Sequence, residues 1–359
     1  MSIHFYPLRI KKINKETDEC VSVEFEIPET LAGSFQFKQG QSLTMRTNLA
    51  GEEVRRTYSL CSSPLDKKWK VAIKKVDRGV FSSFANENLK EGDMLDVMEP
   101  VGKFYTDLDP VNKKNYLAFA AGSGITPVIS IIKTALRTEP QSTFTLVYGN
   151  RSRSSIIFFE ELEGLKNKFI DRFSFINILS RERTETPINF GRLDIGKLTE
   201  LEKLIDYKKM DEVFICGPEE MIFCIKNFLE QKEISEKKIH FELFTTSGQK
   251  KSELKSQKSK VESGPQSKIT VKVDGRSFDF DLSLNSDTTI LDAALKQGAD
   301  LPFACKGGMC CTCKARLLEG EVEMDVHWGL EHEEIEKGFI LTCQSHPKTE
   351  KVTVDFDIK

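Results

Sequence analysis

Four of the nine cysteines in this chain lie within a stretch of nine residues, CKGGMCCTC. The spacing is Cys305-x4-Cys310-x2-Cys313, and Cys343 follows after 29 intervening residues. This is the ligand spacing of one class of [2Fe–2S] centre, in which four thiolates hold two irons. The glycines at 307 and 308 allow the backbone to fold closely round such a cluster and to aim its amides at the sulfurs. The stretch therefore predicts that these four cysteines bind a [2Fe–2S] cluster.

A zinc site is the alternative for a set of four cysteines. Structural zinc sites favour paired C-x2-C knuckles. The stretch contains a single pair of that kind, so the spacing favours iron and sulfur over zinc. Cys311 does not fit the spacing and is predicted to be a bystander.

The N-terminal sequence lacks the apolar core and cleavage site of a secretory signal, and the number of cysteines is odd. Both features predict a cytoplasmic protein, because clustered cysteines in a reducing compartment bind metal or do redox chemistry more often than they form disulfides. No apolar run has the length of a membrane span. A formal net charge of −3 gives no bulk signature of nucleic-acid binding.

Residues 247–267 divide the chain most clearly. They are rich in Lys and Ser and almost lack large apolar residues, which predicts a flexible linker. Residues 268–359, which hold the cysteine stretch, contain 17 acidic and 11 basic residues. This acidic excess favours either docking on a positively charged partner or simple solubility.

Two different patterns precede the linker. Residues 1–107 contain short runs of β-forming residues separated by turns. Residues 112–246 alternate apolar strands with helices, which predicts a parallel sheet with helical crossovers. We therefore expect a multi-domain protein in which an antiparallel β domain precedes an α/β domain.

The stretch RRTYSLCSS places Arg56 and Tyr58 two residues apart, so that they face the same side of a predicted strand. Its Arg-x-Tyr-Ser motif resembles the flavin motif of the ferredoxin–NADP reductase superfamily. The resemblance implies an FAD site where Arg56 binds the pyrophosphate, Tyr58 packs on the isoalloxazine and Ser59 bonds to the flavin edge. A surface arginine on an ordinary strand is the alternative.

GVFSSF resembles the superfamily's second flavin element, a helix start that would meet the pyrophosphate through Gly79, Val80, Phe81 and Ser82.

LAFAAGSGITPVIS predicts a strand, a glycine turn and a helix. The small residues Gly122 and Gly124 allow the backbone to approach a pyrophosphate, and Thr126 and Pro127 suit the first helical turn. Because it follows the flavin motifs in order, the stretch resembles the nicotinamide-dinucleotide domain of the same superfamily.

VYGNRSRSS follows at the end of the next predicted strand and carries Arg151 and Arg153 without an acidic residue. In the superfamily this turn meets the adenosine ribose. An arginine there accommodates the 2′-phosphate of NADP, whereas an acidic residue binds the free 2′-hydroxyl of NAD. The turn therefore favours NADPH over NADH, with two solvated arginines as the alternative.

FICGPEEM resembles the Cys-Gly-Pro motif of the superfamily. The resemblance implies that Gly217 and Pro218 turn the chain beneath the nicotinamide. It also implies a catalytic place for Cys216, near the nicotinamide and the flavin, where it would help to align hydride transfer. A buried apolar cysteine is the alternative. HFELF puts Glu242 and Phe244 where related reductases have an E-x-F ending close to the flavin.

Residues 268–359, including the FILTCQSHP segment that brings in the last cysteine ligand, resemble a plant-type ferredoxin domain. The whole chain resembles oxygenase reductases that join a flavin and nicotinamide module to such a ferredoxin, and within them the reductases of phenylacetyl-CoA 1,2-epoxidases. The resemblance implies an antiparallel β-barrel FAD domain at 1–107, an α/β NAD(P) domain at 112–246 and an α+β, β-grasp ferredoxin domain at 268–359.

The same resemblance implies an NAD(P)H-dependent oxidoreductase that passes electrons from NADPH through FAD and the cluster to an oxygenase. That partner would accept single electrons and is expected to be a diiron multicomponent complex in phenylacetate degradation. Reductases of Rieske ring or steroid hydroxylases and of membrane fatty-acid desaturases share the domain order and are the alternatives. A non-catalytic [2Fe–2S] carrier or redox sensor is an alternative from another class, which the glycine turn and the Cys-Gly-Pro motif disfavour.

Overall fold

The computed structural model describes residues 4–244 and 265–358. They divide into two compact units, one that spans Tyr6–Phe244 and one that contains the described residues from 265 onward. The predicted linker lies outside the described residues except for 265–267, and the first strand of the second unit begins at Gln266. The predicted domain limits stay predictions.

The first half of the larger unit is an antiparallel sheet. Its strands are β1 (Tyr6–Thr17), β2 (Cys20–Glu26), β3 (Ser42–Leu49), β4 (Glu52–Ser59), β5 (Trp69–Lys74) and β6 (Met94–Val97), with helix α1 (Val80–Glu87) between β5 and β6 in the chain. They lie in the order β4-β3-β6-β1-β2-β5, and every pairing is antiparallel. An isolated bridge joins Leu60, just after β4, to Val71 of β5. The two edges of the sheet therefore approach each other, as in a barrel.

The second half is a five-stranded parallel sheet with helices between its strands. The strands are β7 (Asn115–Ala121), β8 (Thr143–Asn150), β9 (Phe173–Leu179), β10 (Glu212–Gly217) and β11 (Ile239–Leu243), in the order β11-β10-β7-β8-β9. The helices are α2 (Ile125–Thr138), α3 (Phe159–Lys168), α4 (Ile195–Leu201) and α5 (Glu219–Gln231). Consecutive residues of β7 are buried, from Tyr116 to Ala120. Such unbroken burial is typical of a parallel strand covered on both faces.

The smaller unit combines a mixed sheet with two short helices. Its elements are β12 (Gln266–Val273), β13 (Arg276–Ser283), α6 (Ile290–Lys296), β14 (Lys314–Glu319), β15 (Val322–Met324), α7 (His332–Glu336), β16 (Phe339–Leu341), β17 (Ser345–Pro347) and β18 (Lys351–Asp355). Five strands form one sheet in the order β13-β12-β18-β14-β16, with β12 and β18 parallel at its centre. Ile290 and Leu291 of α6 pack in one core with Val271 and Val354 of the sheet. This is the α+β arrangement that was predicted.

Among residues 4–244 and 265–358, no helix combines the length and the apolar character that crossing a membrane requires.

Candidate flavin, nucleotide and cluster sites

The predicted flavin strand is β4, and its three motif residues differ in exposure. Arg56 is exposed, Tyr58 is half-buried and Ser59 is buried. The ring of Tyr58 lies 5.7 Å from the ring of Phe81 on α1, with the planes tilted by 33°. Burial raises the pKa of Tyr58, so the phenol stays neutral at physiological pH. The structure thus brings the two predicted flavin elements, β4 and the start of α1, together.

The start of α1 has free main-chain N–H groups, whereas the Ser82 hydroxyl forms hydrogen bonds within the preceding turn. Ser82 Oγ accepts a hydrogen bond from Val76 N (3.1 Å) and donates to Gly79 O (3.3 Å), which closes the turn before the helix. The N–H groups of Val80 and Phe81 lie in the first helical turn, where no intrahelical carbonyl accepts from them. The geometry therefore favours backbone amides over the Ser82 hydroxyl as ligands for a phosphate.

The predicted glycine turn joins β7 to α2. Gly122 has φ +54°, and its carbonyl accepts a hydrogen bond from the buried Tyr148 hydroxyl (2.8 Å). Thr126 Oγ1 donates to Ser123 O (3.0 Å) in the first turn of α2, which also holds Pro127. A Cβ atom at Gly124 would lie 2.0 Å from the carbonyl oxygen of Cys216. Glycine is required there because the two turns meet backbone to backbone.

Three predicted residues converge where the antiparallel sheet meets the parallel one. Ser59, at the end of β4, donates to Glu242 Oε2 (3.1 Å) on β11. Glu242 pairs in the parallel ladder with Cys216, the penultimate residue of β10. The thiol is fully buried, and burial, with the charge of Glu242, raises its pKa well above the usual value. Cys216 is therefore a neutral group next to a carboxylate.

The other predicted residues of this region, Gly217, Pro218 and Phe244, lie at or just after the ends of β10 and β11. Gly217 closes β10, Pro218 precedes α5, and a Cβ at Gly217 would lie 2.6 Å from Met221 Cε. Phe244 follows β11 and is 41% exposed. The Cys-Gly-Pro turn and the E-x-F ending therefore lie on neighbouring strands of one sheet.

The predicted ribose turn contains a carboxylate that sequence reasoning missed. Arg151 and Arg153 follow β8 and are exposed. Glu182, three residues after β9, accepts a hydrogen bond from Arg153 N (2.8 Å). The guanidinium of Arg153 lies over the ring of Phe159, 4.8 Å from its centre. Glu182 could have been found from its position just after β9, because adjacent parallel strands such as β8 and β9 end at the same edge of the sheet.

The four predicted cluster ligands form two pairs. A hydrogen bond from the Cys310 thiol, opposed by burial, lowers the pKa of Cys305, and the bond from Cys313 likewise lowers the pKa of Cys343. Gly307 N donates to Cys305 Sγ (3.3 Å). The two thiols of each pair interact directly, as two ligands of a common iron would, and the Gly307 amide is aimed at a sulfur that would carry negative charge.

Cys311, which was predicted to be a bystander, directs its thiol at a main-chain carbonyl. Its backbone has φ +56°, and its thiol donates to Gly329 O at 2.8 Å. Within the described ranges, no three or more His, Cys, Asp or Glu side chains are arranged round a single metal ion. The two-plus-two arrangement fits a [2Fe–2S] cluster, in which each iron takes two thiolates, better than a four-cysteine zinc site.

Three family models match successive parts of the chain. An oxidoreductase FAD-binding domain matches residues 7–105, an oxidoreductase NAD-binding domain matches 119–227, and a 2Fe-2S iron-sulfur cluster binding domain matches 271–348. The predicted cofactor types, FAD, a nicotinamide nucleotide and a [2Fe–2S] cluster, are confirmed.

Relatives and solved structures extend over nearly the whole chain. It is 43% identical to one of the subunits of the 1,2-phenylacetyl-CoA epoxidase of Escherichia coli (strain K12), covering 99% of this chain and 98% of the relative. It is 32% identical to the 3-ketosteroid-9-alpha-monooxygenase ferredoxin reductase component of Rhodococcus rhodochrous, covering 97% and 96%. The structure of phthalate dioxygenase reductase aligns with a TM-score of 0.61 at 23% identity, covering 98% of each chain. The predicted three-part fold and the predicted resemblance are confirmed.

Proposed function

The chain belongs to the family of oxygenase reductase components that join FAD-binding, NAD-binding and 2Fe-2S domains, and from this premise we propose that it supplies electrons from NADPH to a diiron oxygenase that epoxidises phenylacetyl-CoA. It is an NAD(P)H-dependent oxidoreductase. The observation that carries the proposed partner is the 43% identity to the Escherichia coli epoxidase polypeptide over 99% of the chain.

Bound FAD supplies the conversion of a two-electron hydride donor into single electrons for the cluster. The chain's own contribution is to orient the two cofactors and exclude water. We assign this task to Ser59, Glu242 and Cys216, which lie where the flavin strand meets the nucleotide strands. The buried, neutral Cys216 thiol would exclude water from this place without adding a second charge beside Glu242. The exposed Phe244 would cover the solvent side of the contact between Ser59 and Glu242.

Each of the three cofactors would be held by its own set of residues. Arg56, Tyr58 and the amides at the start of α1, from Gly79 to Ser82, are the proposed flavin contacts. The glycine turn and the Cys-Gly-Pro turn would receive the nicotinamide nucleotide through Gly122, Gly124, Thr126, Pro127, Gly217 and Pro218. Cys305 with Cys310, and Cys313 with Cys343, would each hold one iron.

The proposed preference for NADPH depends on Arg151 and Arg153, whose exposed guanidinium groups suit a 2′-phosphate. Glu182 would oppose it, because a carboxylate repels phosphate and accepts ribose hydroxyls. Replacing Arg153 with alanine should lower the ratio of kcat/KM for NADPH over NADH by about tenfold, the effect of roughly 1.4 kcal/mol. Glu182→Gln should raise the ratio. An unchanged ratio in both variants would contradict this assignment of the ribose turn.

The reductase of a steroid-hydroxylating monooxygenase is the second candidate. Its support is the 32% identity to ketosteroid monooxygenase reductase components, which also match over nearly their full length. These candidates differ in the electron acceptor and not in the chemistry within this chain. A carrier without catalysis is disfavoured, because the chain matches FAD-binding and NAD-binding domain models as well as the 2Fe-2S model.

The cytoplasm is the proposed location. All nine cysteines are free thiols in the structure, and a reducing compartment keeps such thiols available for a cluster.

Reconstitution with a purified diiron phenylacetyl-CoA oxygenase tests the proposal. NADPH consumption and epoxide formation are followed with and without phenylacetyl-CoA. Consumption that rises with the substrate and yields epoxide supports the proposed partner. Reduction of ferricyanide by NADPH without any coupling to this oxygenase would keep the reductase and exclude the partner.

A matched pair of cysteine variants controls the experiment. Cys310→Ala removes a proposed ligand and should abolish coupling while ferricyanide reduction by the flavin persists. Cys311→Ala, one residue away, should couple as the natural protein does. Both results together show that electrons reach the oxygenase through the cluster.

A further inference from the structure

A buried polar contact fastens the nucleotide-binding half of the larger unit to the flavin-binding half. We call it the seam: residues 62–70, after β4 and into β5, facing one side of α2 and Glu161 of α3. Ser130 Oγ on α2 donates to Ser62 O (2.6 Å), and Thr134 Oγ1 lies 2.9 Å from Ser63 Oγ. These four side chains are buried. The seam thus contains directional bonds, which specify one alignment of the two halves in a way that apolar contact does not.

An ion chain of alternating charge crosses the seam beside these hydroxyls. Arg137 and Lys133 on α2 both pair with Asp66 of the flavin half, Lys133 at 3.0 Å. Lys133 also pairs with Glu161 at 2.7 Å. Glu161 in turn lies 3.4 Å from Lys70 on β5. Three of the four ion pairs therefore cross the seam, and Lys133 is the central member of the ion chain.

Three members of the ion chain are largely shielded from solvent, so the charge of each depends on its neighbours. The side chains of Lys133, Lys70 and Asp66 are 13%, 17% and 20% exposed. Burial opposes ionisation of Asp66, but the charge of Lys133 and hydrogen bonds from Lys133 and Arg137 lower its pKa. Burial opposes ionisation of Glu161 as well, and there Lys70 and Lys133 lower the pKa. Removing one member leaves its partners with an uncompensated, partly buried charge.

On both sides of the seam, the polypeptide continues within a few residues to a proposed cofactor contact. On the flavin side, Ser59 lies three residues before Ser62. On the nucleotide side, α2 begins one residue after Gly124, and its seam residues lie on one face at spacings of three and four. A shift of α2 along the seam would therefore move the glycine turn relative to the end of the flavin strand.

We propose that the ion chain centred on Lys133 is a positioning device that sets the alignment of nicotinamide and flavin, so that it governs the rate of hydride transfer more than the binding of either cofactor. The inference rests on the flavin-reduction step of the proposed function and is independent of the oxygenase. Lys133 is a positioning residue that acts through α2. Its contribution is geometric, and a displacement of about 1 Å between reacting groups is enough to slow a reaction by about 10²-fold.

The test compares Lys133→Met, which keeps the aliphatic stem and removes the charge, with Lys226→Met on α5. Lys226 is also partly buried, at 21% exposure, and pairs with Glu230 and Glu236 away from the seam. FAD-loaded proteins are mixed with NADPH or its C4-deuterated form under anaerobic conditions. We expect flavin reduction in Lys133→Met to be at least about tenfold slower. The NADPH concentration for half-saturation should change less than about twofold, with a larger deuterium isotope effect. Lys226→Met and the charge-preserving Lys133→Arg should match the natural protein within about twofold.

Hydrogen exchange of α2 in the same variants gives a readout that needs no turnover. Faster exchange along α2 in Lys133→Met, with flavin reduction as fast as in the natural protein, would reduce the seam to a structural contact and overturn the proposal. If Lys133→Met does not fold, Glu161→Gln, which keeps the shape of the side chain, takes its place under the same criteria. Failure of the natural protein to reduce its flavin with NADPH or NADH would instead refute the proposed function.

Discussion

Replacing Gly124 with alanine should slow flavin reduction by about 10²-fold while FAD stays bound. An alanine Cβ would lie 2.0 Å from the carbonyl oxygen of Cys216 and 2.5 Å from its carbon, whereas real Cβ atoms essentially never come within 3.0 Å of a heavy atom beyond their own residue and its chain neighbours. Both opposing atoms belong to the backbone and cannot rotate away. The start of α2 and the end of β10 must therefore separate by about 1 Å, at a cost of about 1–3 kcal/mol in stability.

The rate should respond more strongly than the stability, because the two turns that separate would both contact the nicotinamide nucleotide. Anaerobic stopped-flow mixing with NADPH measures flavin reduction directly, and the absorbance of the purified protein gives its FAD content. Gly164→Ala is the matched control: Gly164 is exposed on α3, and its Cβ would meet no atom within 4 Å. That variant should keep its rate and gain about 0.5–1 kcal/mol in stability.

The reasoning would be refuted by a Gly124→Ala variant that reduces its flavin as fast as the natural protein at every NADPH concentration. A variant that loses FAD would also contradict it, since the proposed flavin contacts, Arg56, Tyr58 and residues 79–82, belong to neither of the two turns that separate. Urea unfolding of both alanine variants separates a general loss of stability from a local misalignment.

Three further outcomes are expected. Cys310→Ala should lose iron on purification, whereas Cys311→Ala should retain two irons per chain; iron analysis and electron paramagnetic resonance measure both, and equal iron loss would contradict the ligand assignment. The lowered pKa of Asp66 means that its ion pairs add stability above its unfolded pKa of about 4 and lose it as pH falls through the lower folded value, so Asp66→Asn should flatten the acid limb of a stability–pH profile measured by urea unfolding. Ser59→Ala should slow flavin reduction by about tenfold and leave NADPH half-saturation nearly unchanged, because it removes the hydrogen bond to Glu242; a rise in half-saturation alone would assign the bond to binding.

Local sequence predicted most of the elements that carry the motifs, and its errors have local causes. The stretch SIIFFEELEGLKNKF, which starts at Ser155, has a helical pattern, but the helix begins only at Phe159, because Phe158 adopts φ +62° and interrupts the helical run. Helix α4 was not predicted. It has seven residues, and its clearest signal is Asp194, whose side chain accepts a hydrogen bond from Lys197 N. A single N-cap is a weak signal without a long apolar period.

The proposed cluster ligands could be named from the sequence because three of them are separated by short, characteristic spacings. Cys305, Cys310 and Cys313 lie on one loop, so their number and separation already limit the centre that they can build. The sequence could not show that Cys311 turns its thiol to Gly329 O. Nor could it show that the Ser82 hydroxyl closes its own turn, which depends on how residues 76–79 approach the helix.

The amino-acid sequence by itself determined the order of the three cofactor domains and the residues of each motif, because turns, strand periods and ligand spacings act between near neighbours. Only the tertiary structure decided which distant residues meet. Ser59 and Glu242 are 183 residues apart and bond across the two sheets, Glu182 reaches Arg153 through the pairing of parallel strands, and Lys133 joins carboxylates from both halves. Such long-range contacts depend on strand order and on the packing of whole elements, and they cannot be predicted from residue spacing along the chain.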